Sequence, residues 1–285
     1  MTHHSQLNLI MLATIIGLAI FLYLRPQFQP ETDAAFQTLR DPDTVQTIRI
    51  IRHDEEAILQ RIDGNWHLSS PYHARADESI VEKILNILSA NSRQRFPLTN
   101  GEDFNLDKPL IELYLDEDYF AFGGLAPTTD QQYLAINRHV YLVSPRYAIW
   151  IPVKPLDIVS VRLLEENEIP VTFEFHDFLI QRNGTQTGEW RIVSQADDHL
   201  TTELMIRWAE LWHSSRPAEL IVDQHDRLTA QPIARIILQH GQAIQFSVVE
   251  SENDNGVIIF RDNEQVGYYF PELKGRQLLN PYAFE

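Results

Sequence analysis

The chain has 285 residues, 44% of them hydrophobic, with 40 acidic against 23 basic side chains and no cysteine. A formal charge of −17 repels phosphate backbones and argues against a nucleic-acid partner. The lack of cysteine excludes disulfides, thiolate metal sites and cysteine nucleophiles, while the length leaves room for two ordinary domains.

Residues 1–6 form a short N-terminal tail. Residues 7–24 come next as an almost unbroken apolar run, close to the ~18–20 residues that cross a bilayer as a helix. Only Asn8 and Thr14 interrupt it. A buried core helix would show a polar face, and this run has none. A cleaved signal peptide would have small residues just past the apolar core, where this chain has Phe21, Leu22, Tyr23, Leu24, Arg25 and Pro26. The reading is an uncleaved, single-pass transmembrane anchor. Ala13 and Gly17 make a small-xxx-small pair of a kind that brings helices together, though such pairs are common by chance. Arg25 alone would pull the large downstream domain to the cytoplasm, but a short tail before an apolar run also exports its downstream domain. Residues 25–43, with Pro30, Glu31 and Asp33, read as a tether.

Two units occupy 44–150 and 151–285. In the first, 47–52, 57–61 and 66–69 alternate as strands, the last two joined by a hairpin turn at Asp63-Gly64. Asp77 caps a helix to about Ala90, with Ile80, Val81, Ile84, Leu85 and Leu88 on one stripe. Short strands at 110–115, 119–122, 132–136 and 140–143 complete an antiparallel meander. In the second unit 159–164 reads as the opening strand, matched to 46–51, and 171–175 and 178–182 add strand before the next turn. Thr201 caps a helix carrying Leu204, Met205, Trp208, Leu211 and Trp212. Strands at 236–239, 244–249, 257–261 and 266–270 close it, with a hairpin around Asn255-Gly256.

The order repeats, and so does the punctuation. Gly64-Asn65-Trp66-His67-Leu68 returns as Gly188-Glu189-Trp190-Arg191-Ile192, the tryptophans 124 positions apart. That offset carries Asp77 to Thr201, Val81 to Met205, Ile84 to Trp208 and Leu88 to Trp212. Pro109 of Lys108-Pro109-Leu110 and Pro232 of Gln231-Pro232-Ile233 differ by 123. With 159–164 as opening strand, 168–176 is an insertion in the second unit. The expected fold class is α+β: an N-terminal transmembrane helix, then two related units of mostly antiparallel strands with one main helix each.

The tryptophan turn, Ser70-Pro71, Ala76-Asp77, Phe104-Asn105-Leu106-Asp107-Lys108-Pro109, Gly123-Gly124 and Val140-Tyr141-Leu142-Val143 together resemble the bacterial domain-of-unknown-function family numbered 4340. The resemblance covers most of 44–144. The second unit is similar more loosely and lacks the glycine pair, so the chain looks like tandem copies. The resemblance implies anchoring in the bacterial inner membrane with the bulk of the chain periplasmic, and for some members association with ABC-type transport or gliding-type systems. It brings no catalytic residues.

The residues themselves carry little chemistry. Trp66 and Trp190 suit a ligand platform or, more often for a strand beside a hairpin, a core plug; Trp208 and Trp212, four apart on a helix, read as core. None of the eleven histidines falls in a His-Glu-x-x-His frame, and no Gly-x-Ser-x-Gly elbow occurs. Asp223, His225 and Asp226 would need to converge with a further ligand to hold a metal, and a polar turn explains them as well. Glu250, Glu252 and Asp254 fail the calcium-loop frame, because Asn255 and Arg261 fall where glycine and glutamate are required. Asp116-Glu117-Asp118 reads as a charged turn, and Asn183-Gly184-Thr185 as a sequon without meaning in a bacterial host. No catalytic, cofactor-binding or metal-binding residue is assigned, and no cofactor is expected. The expected function is a periplasmic binding or scaffold head on an integral, single-pass anchor, accessory to an ABC-type transport or envelope complex through a protein partner in the inner membrane. The alternatives are a membrane-tethered hydrolase with its site between the units, marked by converging histidine and carboxylate groups, and a glycan-binding module, marked by exposed aromatics in a groove.

Overall fold

A computed structural model describes residues 11, 14–16, 40–183, 189–193, 200–222, 228–250 and 256–284. Among these no helix is long and apolar enough to cross a membrane, and most of the run 7–24 lies outside them. Met11, Ile15 and Ile16 are helical and exposed. The protein is built on two antiparallel β-sheets with a few helices.

The first sheet has nine strands: β1 (Thr47–Arg52), β2 (Glu55–Ile62), β3 (Asn65–Ser70), β4 (Ala74–Arg75), β5 (Arg95–Pro97), β6 (Ile111–Leu115), β7 (Asp118–Leu125), β8 (Gln132–Ile136) and β9 (His139–Val143). Their spatial order is β4-β3-β2-β1-β6-β7-β8-β9-β5. The hairpin at Asp63-Gly64 forms as its sequence predicts, with φ of 50° and 87° at the two turn residues, the left-handed values a tight turn with the strands' own twist requires. Period-two alternation puts Ile48, Ile50, Leu59, Leu113, Leu115, Phe120 and Phe122 on the buried face, and helix α1 (Glu78–Leu85) adds Val81, Ile84 and Leu85 to the same core. The Asp77 side chain caps α1 by accepting from the Ser79 amide, and a 3-10 turn, Asn86–Ser89, continues it with Ile87 and Leu88 buried. A one-turn helix, α2 (Arg146–Ile149), ends this part of the chain.

The second sheet has, among the described residues, eight strands: β10 (Pro170–Phe175), β11 (Leu179–Arg182), β12 (Trp190–Ile192), β13 (Glu219–Ile221), β14 (Gln231–Leu238), β15 (Ala243–Glu250), β16 (Val257–Arg261) and β17 (Gly267–Phe270). They run in the order β12-β11-β10-β14-β15-β16-β17-β13. Among the described residues that is the order of the first sheet from β3 to β5. Helix α3 (Thr202–Ser214) takes the place of α1, capped by Thr201 Oγ1 on the Leu204 amide, and packs beside β12 as α1 packs beside β3. Ile50 faces Ala57 and Leu113 on its two neighbouring strands; Phe173 faces Ile180 and Ile236 in the same way, and each of these partners is 123 positions further on.

The register overturns one sequence expectation. Residues 159–164 form no strand: Val159 makes a single bridge to Ala76, and Leu163 and Leu164 are buried in the connection between the sheets. The apolar alternation there serves packing at the junction, not a ladder. The opening strand is β10, so 168–176 contains that strand and is no insertion. Pro232, matched by sequence to the proline before β6, lies inside β14 beside a register shift that absorbs its missing N–H. Helix α4 (Glu272–Leu279) is absent from the sequence expectations, because only Gly275 and Leu278 of it are buried and no apolar stripe announces it.

Candidate functional site: a buried ion network between the sheets

The strongest concentration of buried charge lies where β4 meets the second sheet. Arg75 and Glu264 are 8% and 4% exposed. The guanidinium of Arg75 pairs through Nε with Glu264, donates from Nη1 to Glu165 at 3.0 Å, and from Nη2 to the Arg162 carbonyl at 2.7 Å and the Tyr268 hydroxyl at 3.1 Å. Tyr268 in turn donates to the second oxygen of Glu264 at 2.6 Å. Arg261 grips Glu168 with both Nη atoms, one at 2.8 Å, and reaches the Leu163 carbonyl. Ser160 Oγ donates to Glu165 at 2.6 Å.

Backbone contacts rim the network. Ser160 N donates to the Arg75 carbonyl at 2.9 Å and Asp77 N to the Ile158 carbonyl at 2.8 Å. His73 and Gln265 exchange two bonds, His73 N to Gln265 Oε1 at 2.8 Å and Gln265 N to the His73 carbonyl at 2.7 Å. Val266, from the turn before β17, is buried in the first sheet's core.

The electrostatics come from burial opposed by pairing. Burial disfavours the charge on Arg75, but Glu264, Tyr268 and Glu165 outweigh it and raise its pKa above the usual arginine value. Burial pushes the Tyr268 hydroxyl up, and Glu264 pushes it further, so it stays a protonated donor. Burial also opposes ionisation of Glu168, yet Arg261 and Arg75 hold it below the usual carboxylate range. Burial lowers the His213 pKa near the end of α3, against the pull of Glu168. Each cation faces a carboxylate, so the arrangement joins the sheets; a substrate entering here would have to displace those pairs. Glu165, Glu168 and Glu264 pair with Arg75 and Arg261, and His213 lies within electrostatic reach of Glu168 and Glu165.

A second feature is a groove of about 360 Å³ along α1, edged by Asp43, Arg61, Glu78, Glu82 and Asn86, with Trp66 beneath. Trp66 is 3% exposed and its amide donates to Glu78 at 2.9 Å. Arg61, directly across the strand pair, lies 5.8 Å from the ring centre. Arg182 stands 5.9 Å over Trp190 in the same cross-strand relation, and Trp190 is 6% exposed. All four tryptophans singled out by sequence are therefore core residues, two of them roofed by arginine. Trp208 Nε1 donates to the Gln277 carbonyl at 3.0 Å, which docks α4 on α3, whereas Trp212 Nε1 is buried without a partner among the described residues.

The remaining sequence candidates separate. Asp116 turns at φ 52° between β6 and β7, a charged turn as expected. Asp223, His225 and Asp226 lie outside the described residues, as do Glu252, Asp254, Gly184 and Thr185. Among the described residues no three metal-ligating side chains cluster. Sequence reasoning missed Arg75, Glu264, Glu165, Glu168 and Arg261. Two signals pointed to them: Arg75 sits inside Ala74-Arg75-Ala76, and Arg261 ends the apolar run Val257-Ile258-Ile259-Phe260.

Two of the motifs that carry the family resemblance, the segment from Phe104 and the pair Gly123-Gly124, meet on the first sheet. The loop through Phe104, Asn105 and Leu106 crosses the sheet there. A Cβ on Gly123 would stand 2.4 Å from the Phe104 carbonyl, and one on Gly124 2.5 Å from the Asn105 amide. Gln132 donates to the Gly123 carbonyl at 3.0 Å. No curated protein and no solved structure matches the chain. The sequence model of a family described as a domain of unknown function, DUF4340, matches residues 66–250 in one span that runs through both sheets, and with well over half its length inside that match the chain belongs to this family.

Proposed function

We propose that this protein is a scaffold: a single-pass anchor in the bacterial inner membrane carrying a periplasmic head of two sheets, descended from one duplicated unit, that binds a protein partner of a transport or envelope complex. The junction is the observation that most supports this reading. Arg75 of the first sheet pairs with Glu264 of the second and with Glu165 in the connection, which supports reading the two sheets as one composite head. The shared strand order and the repeated Arg–Trp pairs support duplication. The apolar run 7–24 supports the anchor.

Two measurements test it. Alkaline phosphatase fused after Glu285 is expected to be active and a fluorescent cytoplasmic reporter at the same point dark; the reverse pattern overturns the orientation. Gentle detergent extraction and capture of the full chain is expected to recover a defined membrane complex, whose yield falls when exposed residues on the head are changed. Recovery of the protein alone, at native expression and after crosslinking, overturns the scaffold role.

A further inference from the structure

We propose that Arg40 is a latch that makes the acid-rimmed end of the first sheet the end nearest the anchor, so that the head stands end-on and off an anionic bilayer; the inference rests on the single-pass anchor proposed above. Arg40 opens the described segment 40–183. Its guanidinium reaches across to the turn between β6 and β7. Nη1 donates to Asp118 at 2.7 Å and to the Leu115 carbonyl at 3.3 Å, while Nη2 pairs with Asp116. Asp116 also accepts from the Thr47 amide at 2.7 Å and the Gln46 amide at 3.1 Å. One carboxylate thus ties the incoming chain to the first residues of β1.

Antiparallel order decides which groups share that end. The start of β1, the Asp63-Gly64 turn and the Asp116-Glu117 turn lie together, because β2 and β6 both run antiparallel to β1 and finish beside its start. Asp41, Asp43, Asp63, Glu117 and Asp118 are exposed there. Asp43 pairs with Arg61 and Asp118 with Arg40, and Arg138 in the turn between β8 and β9 shares the end, which keeps an acidic excess. An anionic leaflet attracts polybasic segments and repels such a rim, within about a Debye length of 8–10 Å. The latch and the rim act together: one sets which end faces the membrane, the other keeps that end from lying on it.

The chain has no cysteine, so single-cysteine labels report one position each. Gln60 and Glu55 are exposed on the same strand, Gln60 opposite Thr47 and Glu55 opposite Arg52. Labels at Gln60→Cys and Glu55→Cys are placed in the full-length protein in nanodiscs containing anionic lipid, with energy-transfer acceptors in the headgroups. Gln60 is expected nearer the bilayer by most of the ~17 Å that five strand residues span. Arg40→Ala should shrink that difference by half or more, and Arg40→Asp with Asp118→Arg should restore it. An unchanged difference in Arg40→Ala, or Glu55 nearer than Gln60, overturns the proposal. Hydrogen exchange of the Gln46 and Thr47 amides is measured in the same full chain. A several-fold rise in Arg40→Ala supports the latch and no change overturns it. A chain that fails to enter nanodiscs overturns the anchor instead, and the exchange result still decides the latch.

Discussion

The two sheets share an order of strands but differ in how they are closed. The first extends its tryptophan edge with β4 and covers its outer face with the Phe104–Leu106 loop on a glycine pair. Among the described residues the second sheet has no strand beyond β12 at that edge, and it packs α4 against α3. Their cores differ too. Val81, Ile84 and Leu88 of the first helix region correspond to Met205, Trp208 and Trp212, and Phe173 lies 4.8 Å from Trp208 and 6.0 Å from Trp212. Ladder order is kept because changing it would unpair whole strands. Edges, loops and core side chains change freely because each can be compensated locally.

The largest effects test whether the sheets are equivalent at the tryptophans and joined at the network. Trp66→Ala and Trp190→Ala should each cost about 3–5 kcal/mol in urea unfolding, as large aromatic deletions in cores do. A cost under about 1 kcal/mol at either would end the equivalence of the two plugs. Arg75→Met leaves Glu264 buried without its cation and should cost a similar ~3–5 kcal/mol. It should also split one unfolding transition into two, and adding Glu264→Gln should recover part of the loss. A single, unshifted transition would show that the pairs do not couple the sheets.

Gly123 lies where Ser247 lies in the second sheet, since Phe122 and Phe246 hold the same place in register opposite Ile111 and Ala234. Gly123→Ser must push the loop away and should cost about 1–3 kcal/mol. Ser247→Gly removes only a small side chain from a strand and should cost about 1 kcal/mol or less. Comparable losses at both would mean the glycine pair does not distinguish the sheets. The folded-state pKa of Glu168 is depressed, so its contribution is complete above the ordinary glutamate value of about 4.3 and is lost as pH falls through the lower folded value. Stability measured from pH 6 downward should therefore fall less steeply in Glu168→Gln than in the wild type. Equal slopes would remove Glu168 from the acid response. The smallest effect expected is at the caps: Asp77→Ala and Thr201→Ala should each cost about 1 kcal/mol, and a difference of more than ~1 kcal/mol between them would break the pairing of α1 with α3.

The elements legible without the fold are those set by local rules. The Asp63-Gly64 turn, the caps at Asp77 and Thr201, the buried tryptophans and the antiparallel meander each come from alternation, helical spacing or turn chemistry within a few residues. Residues 159–164 mislead for the same reason, since a short apolar alternation buried at a junction has the signature of a strand. Only the ladders place the opening strand at β10. Helix α4 and the edge strands β4, β5 and β13 are too short or too weakly patterned to stand out.

By itself the sequence determined that this is a mostly antiparallel α+β chain with one principal helix after each tryptophan turn. Those features depend on side-chain period and on capping groups within one or two turns. Only the tertiary structure decided that Arg75 meets Glu264 across 189 positions, that Arg40 meets Asp118 across 78, and that the Phe104 loop rests on Gly123. Long-range pairs leave no local trace, because a charged residue destined for a buried partner is written like one destined for water. What separates them is desolvation, and that exists only once the sheets have closed around the charge.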